Sequence, residues 1–110
     1  MKKQGLQQGT KQARAIITNP IHLAIAIEYH EETEPAPRIV TMGQGLMADK
    51  IIQYGQEAGV PIMRNVNLAQ TLFQKGKIGD YIPEETYEAM AEILQWLRRL
   101  KEEEGGELFQ

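Results

Sequence analysis

A chain of 110 residues with 42% hydrophobic content is long enough to close one packed core and too short for two domains. It has no cysteine, which excludes a disulfide framework, a thiolate metal site and a cysteine nucleophile and fits a reducing compartment. The net charge of −3 is unevenly spread: Lys2, Lys3, Lys11 and Arg14 precede the first acid, Glu28, whereas Glu84, Glu85, Glu88, Glu92, Glu102, Glu103, Glu104 and Glu107 outnumber Arg98, Arg99 and Lys101 near the end.

Residues 1–12 are rich in Gln, Lys and Gly with one large aliphatic, Leu6, and are expected to bury little; residues 1–13 read as a basic arm, partly helical. Four cations without interleaved aromatics favour a solvated linker over nucleic-acid binding. No apolar run reaches the roughly 20 residues that span a bilayer, and Met1-Lys2-Lys3-Gln4-Gly5 lacks the apolar centre of a signal peptide.

Ala15 to Thr18 and His22 to Tyr29 are dense in Ile, Leu and Ala without polar alternation, which suits strands covered on both faces. Pro20 interrupts any helix across the join, leaving two short strands or one strand broken at Asn19-Pro20. After the proline-punctuated stretch His30 to Pro37, Arg38-Ile39-Val40-Thr41-Met42 reads as a further strand. Gly43-Gln44-Gly45 then leads into an amphipathic helix with Met47, Ile51, Tyr54 and Ala58 on its buried side and Gly59 as its stop. Val60-Pro61-Ile62-Met63 is β-like, and the order strand, helix, strand predicts a crossover with parallel pairing at the sheet centre.

Asn67 with Gln70 fits a capping box opening a helix through Leu68, Ala69, Leu72 and Phe73, ended by Gly76. Pro83, followed by Glu84 and Glu85, starts the longest helix. Its stripe is Tyr87, Met90, Leu94 and Leu97, widened by Ile93 and Leu100, and Gly105-Gly106 is expected to end it. Residues 105–110 then form a loose tail behind a domain spanning residues 14–104, in an α/β fold.

The chemistry concentrates in Asn19-Pro20-Ile21-His22. Proline has no N–H to attack the asparagine side chain, so the usual deamidation route is closed. The opposite attack stays open: the Asn19 amide nitrogen adds to the Asn19 carbonyl, closes a succinimide and expels Pro20 as a new amino terminus. That step needs a polarised carbonyl, an amide held within attack range and a route for protons, for which the His22 imidazole is the nearby candidate. Asn-Pro is equally an ordinary turn pair, and from spacing alone both readings stand.

Other candidates weigh less. His22, Glu28 and His30 do not define a metal geometry by spacing, so no metal and no cofactor is expected. Gly43-Gln44-Gly45 precedes a helix but lacks the Lys-Ser/Thr of a P-loop and the third glycine of a dinucleotide fingerprint, so a turn is favoured. Glu84 and Glu88 suit a solvated helix face, and Trp96 reads as a partly buried anchor.

Thr18-Asn19-Pro20-Ile21-His22-Leu23-Ala24-Ile25-Ala26-Ile27 closely resembles the Asn-Pro-Thr-His segment of the export-apparatus switch proteins of type III secretion, the FlhB and YscU family. Pro35-Ala36-Pro37, Ala58-Gly59-Val60-Pro61-Ile62, Asn67 through Phe73, and Tyr81-Ile82-Pro83 through Leu94-Gln95-Trp96-Leu97 follow in the order of that family's cytoplasmic domain, covering roughly residues 14 to 100. The resemblance implies a single domain with a small mixed four-stranded sheet flanked by about four helices. It also implies autocleavage between Asn19 and Pro20 with His22 assisting, single-turnover rather than enzymatic, and a part in switching substrate specificity during export.

The implied setting is the cytoplasmic face of the bacterial inner membrane, downstream of transmembrane helices. The implied partners are other export-apparatus proteins, a needle- or hook-length regulator, secreted substrates, and anionic lipid at Lys2, Lys3, Lys11 and Arg14. Tyr81-Ile82-Pro83 and Leu94-Gln95-Trp96-Leu97 look more like the virulence branch than the flagellar one. The alternative is a noncleaving interaction module of the flagellar export gate. Two positions depart from the family: Ile21 stands where Thr is usual, removing a hydroxyl from the motif, and Gln70 stands where many relatives have Arg.

Overall fold

The computed structural model describes residues 5–20 and 22–108, with side chains through residue 104. The two apolar runs form β1 (Ala15–Asn19) and β2 (Leu23–Glu28), antiparallel in a register from Ala15↔Ile27 to Asn19↔Leu23. Of the two arrangements left open for this stretch, two strands joined at Asn19-Pro20 is the one observed. β3 (Arg38–Gln44) lies antiparallel on the far side of β2, with a register irregularity between Ala26 and Ile27. β4 (Ile62–Arg64) pairs parallel with the far side of β1, giving the order β3-β2-β1-β4.

The crossover is present, but its two strands are the sheet's edges, and the parallel ladder, β1 with β4, lies at an edge rather than the centre. The reason is local: the β1–β2 hairpin closes over a few residues and takes the centre, so the helix carries the chain over both strands.

Because side chains alternate along a strand, the hairpin feeds two cores. Ile17, Ile25 and Ile27 join Ile39, Leu68, Leu72, Met90 and Leu94 on one face; Ile16, Ala24 and Ala26 join Ala48, Ile51 and Val60 on the other. Ile16, Ile17, Ile25 and Ile27 are wholly buried, worth about 1.5–3 kcal/mol each. A sheet covered on both faces explains why neither strand shows polar alternation.

The helix after β3, here α2 (Leu46–Ala58), ends at Gly59 in a left-handed conformation, φ 72°. Its buried side differs from expectation. Ala48, Ile51 and Gly55 face the sheet, whereas Met47 and Ala58 are exposed and Tyr54 is half-buried. Ala24 and Ala26 beneath it admit a close approach, so the smallest residues of the helix turn inward.

The helix α3 (Val66–Lys75) begins two residues earlier than expected. Its cap is Asn65, whose Oδ1 accepts the Leu68 N–H at 3.1 Å, and not Asn67. Asn65 has extended backbone and satisfies an otherwise unpaired N–H of the first turn. Gly76 closes this helix as expected; a Cβ there would meet Leu72 O at 2.5 Å.

After Pro83 a 3-10 turn, Glu84–Thr86, feeds α4 (Tyr87–Leu108). Met90, Leu94 and Leu97 are buried, while Tyr87 and Leu100 at the ends of the expected stripe are exposed, and Trp96, expected as a partly buried anchor, is 44% exposed. α4 continues through Gly105-Gly106 to Leu108: glycine weakens a helix by about 1 kcal/mol but keeps its N–H donor, so it need not stop one.

The arm buries more than its composition suggests. Leu6–Lys11 forms α1, the first helix, lying on α2. Thr10 is wholly buried and its hydroxyl lies 2.8 Å from that of Thr41 on β3; Lys11 Nζ stands 3.2 Å from Glu57. A buried hydroxyl is tolerated when it has a partner, and Thr41 supplies it. Lys2 and Lys3 lie outside the described residues.

Candidate functional site

The end of β1 places the motif. Asn19 is the last residue of β1 and is half-buried; Pro20 and His22 are exposed. The His22 backbone N–H donates to the Asn19 carbonyl oxygen at 3.2 Å, the closing bond of a turn. That carbonyl belongs to the Asn19–Pro20 peptide bond, and a donor on its oxygen withdraws electron density from its carbon. Proline at the second position, with φ near −65°, excludes the primed turns that require positive φ there. Ile21 lies outside the described residues.

Two further backbone bonds hold this turn. The Asn65 N–H donates to Thr18 O at 3.0 Å, fixing the residue before Asn19 to the start of α3. The Gly45 N–H donates to His22 O at 3.0 Å, fixing the residue after the turn to the start of α2. Gly45 has φ 59° and ψ −129°, which L-residues avoid. Neither tie is visible in the sequence, because each joins the turn to a segment more than twenty residues away.

The metal candidates separate. His22 and His30 stand beyond opposite ends of β2 and do not meet. Glu28 and His30 do, and with Glu34, a residue the sequence did not single out, they bring one donor atom each within 4.8 Å of one another. Their donors are already engaged. His30 Nε2 pairs with Glu28 Oε1 at 2.5 Å, and Arg38 donates Nε and Nη2 to Glu34 Oε2 at 3.0 and 2.7 Å. Arg38 also donates to Gly79 O and lies 4.5 Å from the centre of the Tyr81 ring. The hydrogen bond to Glu34 holds its guanidinium pKa above the ordinary value, so a permanent positive charge sits beside these donors. The arrangement is that of a loop clamp.

A groove of about 300 Å3 lies between the 29–37 connection and α4, lined by Ala36, Pro37, Tyr87, Ala91, Leu94 and Gln95 among others. Among the described residues no helix is long and apolar enough to cross a membrane.

Residues 1–97 match the model of the FlhB HrpN YscU SpaS family. The chain belongs to this family. Curated FlhB HrpN YscU SpaS relatives include the flagellar biosynthetic protein FlhB of Yersinia enterocolitica, 35% identical over 96% of this chain and 28% of its own length. FlhB of Salmonella typhimurium is 38% identical over 87% of this chain and 25% of its length. The secretion system apparatus protein SsaU of Salmonella typhimurium is 34% identical over 86% of this chain and 27% of its length. The chain thus spans about a quarter of the length of these curated relatives. The identities do not separate a flagellar from a virulence branch.

Solved structures agree on the fold. The cytoplasmic domain of FlhB from Shewanella putrefaciens superposes with a TM-score of 0.84 at 26% identity, covering 92% of this chain and 78% of that one. The EscU C-terminal domain with an asparagine-to-alanine substitution superposes at 0.81, also 26% identical, covering 84% and 93%. The small mixed four-stranded sheet with four helices is therefore the fold of this family's C-terminal domains.

Proposed function

We propose that this chain is the cytoplasmic switch domain of a type III secretion export-apparatus protein, and that it cuts itself once between Asn19 and Pro20. The observation that carries the reading is the His22 N–H on the Asn19 carbonyl oxygen at the exposed tip of a buried hairpin.

The proposed step makes use of that hydrogen bond. Nδ2 of Asn19 adds to the Asn19 carbonyl carbon, and the charge gathering on the oxygen is met by the His22 N–H. Nδ2 loses a proton, the bond from the carbonyl carbon to Pro20 N breaks, and Pro20 N takes up a proton as the new amino terminus. The His22 imidazole, two residues past Pro20, serves as proton carrier. Asn19 is left as a C-terminal succinimide, which water opens to asparagine or isoasparagine. The missing hydroxyl at Ile21 removes nothing from this bond accounting. The EscU relatives bearing asparagine-to-alanine and proline-to-alanine substitutions at consecutive positions support attention to such a pair.

The domain outlives the cut. β1 lies between β2 and β4, hydrogen-bonded on both sides, with Ile16 and Ile17 wholly buried and α1 packed on α2. Cleavage frees a turn and leaves the core in place, which suits a switch that alters a surface presented to other export-apparatus proteins, a length regulator or secreted substrates. The whole protein would sit at the inner membrane with this domain on its cytoplasmic face, residues 1–13 leading to upstream transmembrane helices. Of the cations expected to meet anionic lipid, Lys11 is paired with Glu57 and Arg14 is half-buried, so Lys2 and Lys3 carry more of that role.

The apolar groove beside α4 favours a second reading, a noncleaving docking module. One experiment separates the two. Refolded chain followed by intact mass and denaturing gel yields residues 1–19 and 20–110, the shorter first appearing lighter by one water, while Asn19→Ala stays whole. A wild-type chain that remains intact through long incubation at neutral to alkaline pH leaves only the docking module.

A further inference from the structure

We infer that Gly45 is a positioning residue for the cleavage step, acting through His22. The inference rests on the cleavage proposed above and adds a residue that the motif does not contain.

A relay of two backbone hydrogen bonds carries it. The Gly45 N–H donates to His22 O at 3.0 Å, and the His22 N–H donates to the carbonyl oxygen that becomes the oxyanion, at 3.2 Å. The sheet register delivers the first bond. Leu23 pairs with Gln44 at the end of the β2–β3 ladder, so the next residues outward, His22 and Gly45, meet just beyond it. On its other side, Gly45 O accepts the Asp49 N–H at 3.1 Å and opens α2. One peptide thus faces the turn while the next faces the helix.

Only a particular backbone geometry allows both. At φ 59° and ψ −129° the chain swings from strand to helix while the N–H still points back at His22. This is close to the first central position of a II′ turn, which glycine dominates. A Cβ added at residue 45 would meet nothing within 4 Å, so space does not select the glycine. The backbone torsion does. An L-residue returns φ toward negative values, turns the N–H away from His22 O and releases the residue whose own N–H faces the scissile carbonyl. Misalignment of a donor that acts on the transition state costs about ten- to a hundredfold in rate.

Mirror-image substitution tests this without removing any motif atom. The 110-residue chain is synthesised with glycine, L-alanine or D-alanine at position 45, kept uncut in denaturant and refolded to start the reaction. Appearance of residues 20–110 is timed by mass at a temperature where circular dichroism shows all three folded. D-alanine prefers positive φ, so it should cut at close to the glycine rate while L-alanine lags about ten- to a hundredfold. L-alanine cutting at the glycine rate overturns the inference and leaves the cleavage reading intact. Equal slowing by both alanines also overturns it, because the torsion is then not what matters. A glycine chain that never cuts overturns the cleavage reading and the inference with it.

Discussion

Ile16 of β1 and Gly55 of α2 fit so closely that a Cβ on residue 55 would stand 2.2 Å from Ile16 Cδ1. This contact sets the distance between α2 and the sheet, and Ile16, β-branched and wholly buried, has little freedom to move aside. Gly55→Ala should destabilise the domain: overpacking costs about 1–3 kcal/mol, partly offset by about 1 kcal/mol of helix propensity. Adding Ile16→Val removes the clashing methyl, so the double variant should recover stability relative to Gly55→Ala alone. Urea unfolding of the four-member cycle measures the coupling. An additive pair would mean that the two residues do not touch.

The Thr10–Thr41 hydroxyl pair makes a second prediction, about whether α1 belongs to the folded unit. Both side chains are buried and bonded at 2.8 Å. Thr10→Val should cost about 1–3 kcal/mol by leaving the Thr41 hydroxyl without its partner in the interior. Thr10→Val with Thr41→Val should be much closer to wild type, since both polar groups then disappear together. A solvated arm would make Thr10→Val neutral in the same unfolding experiment.

The pH prediction concerns Lys75 and Glu85, which join the end of α3 to the turn before α4 with Nζ 2.7 Å from Oε2. The hydrogen bond from Lys75 holds the Glu85 carboxyl below the usual carboxylate range. A depressed folded pKa means stability present above the unfolded value, about 4.3, and lost as pH falls through the folded one. Wild type should therefore melt above Glu85→Gln at pH 7, and the gap should close on acidification. Because the pair is exposed, about 1 M salt should narrow the gap at pH 7 as well. Thermal melts of both proteins across pH and salt read this directly.

Much of the fold was legible because its signals are local. Pro20 between two apolar runs could only be a break, Gly59 and Gly76 stop helices at their own positions, and Met90, Leu94 and Leu97 repeat at helical spacing. The misjudged points depend on a partner. Met47 is far more apolar than Ala48 or Gly55, yet those two face the sheet because Ala24 and Ala26 lie beneath. Asn67 carried a plausible capping pattern, but Asn65 is the residue fixed beside Thr18. Polar composition marked residues 1–12 as a free arm, and no pattern in them announces that Thr10 meets Thr41.

The candidate site divides the same way. For the proposed cleavage, sequence alone names the bond and the nucleophile, because Asn19 carries its amide a fixed few atoms from its own carbonyl and Pro20 has no N–H to divert the chemistry. Tertiary structure alone decided that Gly45 and Asn65 hold the two sides of the turn whose His22 N–H lies on that carbonyl. Those ties exist only once β3 and β4 have paired and the helices after them have docked. Reactivity is a property of neighbouring bonds, whereas alignment is set by hydrogen bonds between segments that only folding brings together.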